Sequence, residues 1–310
     1  MQLLCIFTQQ FVYERKDCLE MENTMTMLLK GAEVSKSLNE KIKKDVEELK
    51  KKGINPCLAM IRVGERPDDV SYEKGATKRC ENLGIEPRHV TLSEDISEER
   101  LLEVIAECNA DKKIHGILLF RPLPKHLNEE KICDALAVEK DVDGIKKESL
   151  TGVFTGSGEG FAPCTPKACM EILDYYGIDC TGKKAVVIGR SLVVGKPAAM
   201  MLLNKNATVT ICHSKTDNLE EICRQADIIV AAAGSMRMVG KESFREGQIV
   251  LDVGIHVDSE GKLCGDVKME EAEDMVEAIT PVPGGVGAVT NGVLCGNVVE
   301  AAKRQKDTLE

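Results

Sequence analysis

The chain has 310 residues, of which 43% are hydrophobic, enough for one large domain or two ordinary ones with cores of their own. A formal net charge of −10 argues against nucleic acid or an anionic membrane as the partner, and an aromatic content of 3% with no Trp disfavours a base-stacking surface. The thirteen cysteines form no C-x-x-C pair and are odd in number, which reads as reduced thiols in a cytoplasmic protein, with neither a disulfide framework nor a zinc site.

Residues 1–24 carry no pattern that continues into the fold and are expected to be a disordered extension. The apolar run Leu3–Phe7 is too short for a membrane span and lacks the basic flank of a signal peptide. Val34, Leu38, Ile42, Val46 and Leu49 recur at helical spacing, with Gly53 as the stop. Cys57–Val63 reads as a strand, Ser71–Asn82 as a helix ended by Gly84, and His89–Leu92 as a short strand. Ser97 is placed to cap a helix running to Asn109, with Glu98 and Glu99 in its first turn. Gly116–Phe120 reads as a buried strand broken by Pro122 and Pro124, and Asn128–Ala137 as a helix. Strands alternating with helices predict an α/β unit with a mostly parallel sheet.

The Gly- and Thr-rich stretch Glu148–Pro163 is expected to be a boundary loop, crossed by a helix over Thr165–Tyr176. A second α/β unit follows, with strands at Ala185–Ile188, Thr208–Cys212, Ile228–Ala232 and Ile249–Val253. Pro281–Gly287 is a tight loop, and the helix after it, about Thr290–Arg304, is expected to pack back on the first unit. The predicted fold is therefore two α/β domains, the second Rossmann-like. The expected division is 25–150 plus 288–310 for the first domain and 151–287 for the second.

The stretch Gly189–Pro197 sits between the strand Ala185–Ile188 and a helix. Free N–H groups at a helix start, with the helix dipole behind them, make an anion site. The glycines Gly189 and Gly195 are six residues apart, so the loop is not the common G-x-G-x-x-G. The next strand ends in His213, Ser214 and Lys215, where an acidic residue would suit a free ribose 2′-hydroxyl. Cationic and hydroxyl groups there, with Arg190 in the loop, favour NADP over NAD. NAD would be tolerated if Arg190 turned away or paired with Asp217.

Val63-Gly64, Arg121–Pro124, Lys140–Gly144, Pro163–Pro166, Gly189–Ser191 with Val194–Pro197, Cys212–Thr216, Leu251–Gly254 and Thr280–Gly287 together resemble one family. That family is the methylenetetrahydrofolate dehydrogenase/cyclohydrolases, and the resemblance runs from about Leu28 to Ala302. It implies an active-site cleft between the two domains, with hydride transfer there from 5,10-methylene-tetrahydrofolate to a nicotinamide. Tyr72 would stack on the folate and Asp143 would accept hydrogen bonds from the pterin; these two are the implied catalytic residues. Pro122, Leu123, Pro283, Gly284 and Gly285 would complete the folate site. Gly189, Arg190, Ser191, Gly195, Pro197, His213, Ser214, Gly234, Ile255 and Thr290 would bind the cofactor. A homodimer through the second domain and one-carbon folates as ligands are also implied.

Three positions depart from the family pattern. Ala76 stands where the bifunctional pattern has Lys, Phe120 where it has Gln, and Asp69 where it often has Ser. Hydrolysis of the methenyl ring needs a group that moves protons, which Ala and Phe lack. Hydride transfer asks only that two rings be held together. The expectation is a dehydrogenase with weak or absent cyclohydrolase activity. The alternatives are a bifunctional enzyme in which Lys74, Lys78 or Arg121 substitutes, a folate- or nucleotide-binding protein without turnover, and a Rossmann oxidoreductase for another substrate.

Overall fold

The computed structural model describes residues 26–307; the expected extension over 1–24 lies outside them. Strand β1 (Met27–Leu28) leads into helix α1 (Gly31–Lys51), whose Val34, Ile42, Val46 and Leu49 are buried as their spacing requires. Strand β2 (Cys57–Val63) is buried at all seven positions. It is the centre of a three-stranded parallel sheet, with β3 (Glu86–Leu92) and β4 (Gly116–Leu119) on its two sides. A continuous apolar run is the mark of such a doubly covered strand. The one charge in it, Arg62, donates to Glu73 at 2.8 Å, and His89 Nδ1 lies 3.0 Å from the same carboxylate.

Helix α2 (Pro67–Leu83) carries Glu73 and Tyr72. Pro67 presets its first turn, and Gly84 ends it in the left-handed conformation at φ +76°. Helix α3 (Glu98–Ala110) is capped as expected, Ser97 Oγ accepting from the Arg100 N–H at 3.2 Å. Helix α4 (Glu129–Asp134) follows β4.

The stretch Glu148–Pro163 is not all loop: helix α5 spans Lys147–Thr155. Its glycine misled the reading. A Cβ on Gly152 would lie 2.0 Å from the Glu159 carbonyl oxygen, so the residue is there for close approach and not to break the helix. Helix α6 (Cys164–Tyr175) then leads to β5 (Lys184–Ile188), α7 (Gly195–Asn204), β6 (Thr208–Cys212), α8 (Leu219–Arg224), β7 (Ile228–Ala231) and β8 (Ile249–Asp252). A small antiparallel ribbon, β9 (His256–Val257) with β10 (Leu263–Cys264), precedes α9 (Met269–Ala272), β11 (Ala278–Ile279) and the long terminal helix α10 (Val286–Asp307).

The second sheet is parallel throughout, in the order β1-β11-β8-β7-β5-β6. The strand order reverses between β5 and β7, the kind of switch point where doubly wound sheets bind ligands at their carboxyl ends. Two details correct the expected division. Met27 and Leu28 pair with Ala278 and Ile279, so the described residues enter through the second sheet before crossing to the first. A two-residue strand has no periodicity to announce it. Helix α10 also starts before residue 288 and packs on both α1 and α6. One cluster of buried side chains runs from Leu58 and Met60 through Val293 and Val298 to Ile172 and Val187, so α10 is a wall shared by both units. No described helix is long and apolar enough to cross a membrane.

Candidate active-site cleft

A cavity of about 650 Å³ opens between the two units. Tyr72, Arg121 and Asp143 line it from the first, Leu192, Val193 and Ile255 from the second, and Gly287, Thr290 and Asn291 from the start of α10.

Asp143 owes its position to its neighbours in Lys140–Gly144. Buried Lys140 donates to the carbonyl oxygens of Cys108, Asn109 and Asp111 at 3.1, 2.7 and 2.8 Å. Asp141 accepts from the N–H groups of Ile145 and Lys146 at 3.0 and 2.9 Å and from the Ser149 hydroxyl at 2.6 Å. The turn-capping work in this motif is therefore done by Asp141, which leaves Asp143 to face the cavity. Burial pushes the Asp143 carboxyl up to about 6, against the opposing pull of Cys164 and Arg121.

Tyr72 stands on the same wall, 40% exposed. Its phenol is held above the ordinary tyrosine range, by desolvation first and by the Asp143 carboxylate second. Behind it, Ala76 and Phe120 are 1% and 6% exposed and belong to the core. Of the cations named as substitutes at this wall, Arg121 lines the cavity, 3.8 Å from Glu129, while Lys74 and Lys78 do not line it. Lys147 reaches it instead, bonded to Glu130 and Asp134 at 2.7 and 3.0 Å.

On the other side, the Gly189–Pro197 loop leaves β5 at the switch point. Gly189 has φ +127°, and a Cβ there would lie 2.1 Å from the Ala232 carbonyl oxygen. A Cβ on Gly195 would lie 2.2 Å from Gly189 O. Ser191 Oγ accepts from the Val194 N–H at 3.1 Å, so the hydroxyl that was expected to contact cofactor also folds the loop. Pro197 is buried in the first turn of α7. Arg190 is exposed and makes no ion pair with Asp217 or any other described residue. His213 Nδ1 accepts from the Lys215 N–H at 3.1 Å, which in a neutral ring leaves the proton on Nε2 as a donor; Ser214 beside it is exposed.

Gly234, in the loop after β7, is at φ +66° and donates to Asp266 Oδ2 at 2.9 Å. Asp266 also accepts from Ser235 N at 3.0 Å and lies 2.7 Å from His256 Nε2. Its own N–H donates to buried Asp252 at 3.0 Å. The cofactor-side loops are thus tied by two buried carboxylates that the sequence reading did not single out. Ile255 and Thr290 line the cavity; Pro122, Leu123, Pro283, Gly284 and Gly285 flank it without lining it. Leu123 is buried in the first unit's second apolar cluster, and Gly284 accepts from the Gly31 N–H at 2.8 Å. Asn291 lines the cavity but drew no notice in the sequence, where it looks like one more polar helix residue.

Residues 29–143 match the catalytic domain of the tetrahydrofolate dehydrogenase/cyclohydrolases, and residues 163–306 match their NAD(P)-binding domain. The chain is 50% identical over 285 residues to the bifunctional protein FolD of Clostridioides difficile, covering 92% of this chain and 99% of that one. Its fold is similar to the crystal structure of the bifunctional FolD of Campylobacter jejuni, with a TM-score of 0.88 at 43% identity over 90% of this chain and 99% of that one. The Trypanosoma brucei methylenetetrahydrofolate dehydrogenase-cyclohydrolase, solved with NADP and an inhibitor, gives a TM-score of 0.85 at 32% identity over 90% and 98%.

Proposed function

Because the chain belongs to the tetrahydrofolate dehydrogenase/cyclohydrolase family, we propose that it oxidises 5,10-methylene-tetrahydrofolate to the 5,10-methenyl form with NADP as hydride acceptor. The observation that carries this reading is one cavity faced by Asp143 and Tyr72 from the catalytic domain and by Leu192, Val193 and Ile255 from the NAD(P)-binding domain.

The residues fit that cofactor. Gly189 and Gly195 leave no room for a side chain, as a backbone cradle for a pyrophosphate requires, and α7 begins at that cradle. Arg190, in no ion pair with a described residue, the Nε2 donor of His213 and Ser214 offer cationic and hydroxyl groups to a ribose 2′-phosphate. NADP, when bound, supplies the ring that takes the hydride. The chain positions. Ile255 and Thr290 bound the nicotinamide side, Tyr72 stacks on the folate, and ionised Asp143 accepts from the pterin N–H groups. Pro122, Leu123 and the Pro283–Gly285 turn flank the folate end without lining it. Orientation of this kind can supply roughly 7–11 kcal/mol of a barrier.

For the second step, the bifunctional names of the relatives favour hydrolysis of the methenyl ring by this chain as well, over the expectation that it is weak or absent. One observation favours the narrower reading. Ala76 and Phe120 are buried apolar groups, and the guanidinium of Arg121, which does line the cavity, carries donors and no acceptor. The test is an assay of the purified full chain with 5,10-methylene-tetrahydrofolate, first with NADP and then with NAD, following reduced nicotinamide and methenyl product separately. Methenyl product consumed as fast as it forms supports both activities; its accumulation in step with the nicotinamide supports dehydrogenase alone. Binding without turnover would replace both readings with a non-catalytic one. A homodimer through the second domain, whose sheet ends at β6, is tested by sedimentation of the full chain.

A further inference from the structure

Asn291 stands on the cavity wall with an unmet hydrogen-bonding group. Its Oδ1 is buried without a partner, and among the described residues no other buried side-chain oxygen or nitrogen is left so. It follows Gly287 by about one helical turn and adjoins Thr290, both of which face the same cavity. A Cβ built on Gly75 would lie 4.0 Å from Asn291 Nδ2, so the carboxamide reaches the α2 segment that carries Tyr72 and Ala76. Buried polar groups in folded proteins are nearly always satisfied, and one left open at a ligand cavity calls for a partner in the ligand. A cation would be met by a carboxylate and an anion by Arg121. A neutral carboxamide suits a neutral edge that carries an N–H beside a carbonyl.

We infer that Asn291 anchors the folate: a turn of its side chain brings the covered Oδ1 to the cavity, where it accepts from an N–H while Nδ2 donates to a carbonyl on an amide or lactam edge of the substrate. This rests on the folate reading above. Asn291 is a substrate-binding residue that sets specificity at a wall backed by Ala76 and Phe120, which offer no hydrogen bond. It moves no proton.

The test compares Asn291→Leu and Asn291→Gln with the parent. The readouts are KM for 5,10-methylene-tetrahydrofolate, Kd for tetrahydrofolate and for NADP by calorimetry, and the Tm of each unliganded protein. In Asn291→Leu, folate KM and tetrahydrofolate Kd should rise roughly tenfold, the loss of a pair of neutral hydrogen bonds. NADP Kd should stay within twofold. The unliganded Tm should hold or rise, because an unmet polar group has been removed. Asn291→Gln keeps the carboxamide and should recover part of the lost folate affinity. Folate binding unchanged in Asn291→Leu would overturn the inference. So would folate and NADP affinities falling together with Tm, which marks a structural role. If the parent itself neither binds tetrahydrofolate nor turns over, it is the folate reading that fails, and the inference falls with it.

Discussion

The rings of Tyr72 and Phe120 meet edge to face, their centroids 6.0 Å apart and their planes at 80°. The two partners differ in exposure, 40% for Tyr72 against 6% for Phe120. Such a contact is worth about 0.5–1.5 kcal/mol beyond the area it buries. It places an apolar, core-packed ring behind the face proposed to hold the folate. Phe120→Ala should therefore cost about 3–5 kcal/mol of stability, read by chemical denaturation. Tyr72→Ala should cost much less stability and raise the folate KM at least tenfold. Equal stability losses with no change in KM would mean that the pair is only core.

The central strands of both sheets were legible because they are short apolar runs between glycines and prolines, and β2, β5, β7 and β8 fell where their residues pointed. What escaped had no local signal. Met27-Leu28 joins the second sheet through partners some 250 residues away, which spacing cannot reveal. Helix α5 was hidden by Gly152, whose role is a tertiary contact with Glu159. The site divided the same way. Asp143 and the Gly189–Gly195 loop stand out because they sit in compact motifs. Asp266 and Asn291 do not, because their importance lies in what is around them: two loop N–H groups for the one, an unfilled side of a cavity for the other.

Arg190 is the test of cofactor choice. It carries a cation at the phosphate loop and spends it on no described carboxylate. A charge-assisted hydrogen bond to a 2′-phosphate is worth about 1.5–3 kcal/mol, or roughly 10- to 150-fold in affinity. Arg190→Ala should raise the Kd for NADP by that range and leave NAD within twofold. The NADP affinity of the parent should fall with added salt more steeply than that of the variant. Equal loss for both dinucleotides would remove Arg190 from phosphate recognition.

Gly195 tests the cradle without touching a charge. A methyl group there meets Gly189 O at 2.2 Å, and backbone cannot give way as a side-chain end can. Gly195→Ala should force the loop from α7 and abolish NADP-induced thermal stabilisation, while tetrahydrofolate still stabilises through the first domain. Retained NADP stabilisation would show that the close approach of Gly189 and Gly195 is not needed for binding.

Asp143 gives the pH prediction, and it runs in two directions. In the free protein burial lifts its carboxyl to about 6, whereas an unfolded Asp titrates near about 3.9. Between these values the folded state holds a proton that the unfolded state has released. The favourable contribution is thus complete below about pH 4 and is lost as pH rises through about 6. Asp143→Asn removes the charge, so the variant should be more stable than the parent above pH 6, by on the order of 1–3 kcal/mol, and no more stable below pH 4. Activity should move the other way. In its proposed role the carboxylate must be ionised to accept from the pterin N–H groups, so kcat/KM of the parent should fall about tenfold per pH unit below pH 6. The variant should lose most of its turnover at every pH. Denaturation and turnover of the two proteins, measured at matched pH from 4 to 8, check both arms. A variant less stable than the parent at pH 8 would mean that Asp143 is held by interactions with its surroundings that outweigh the cost of its burial.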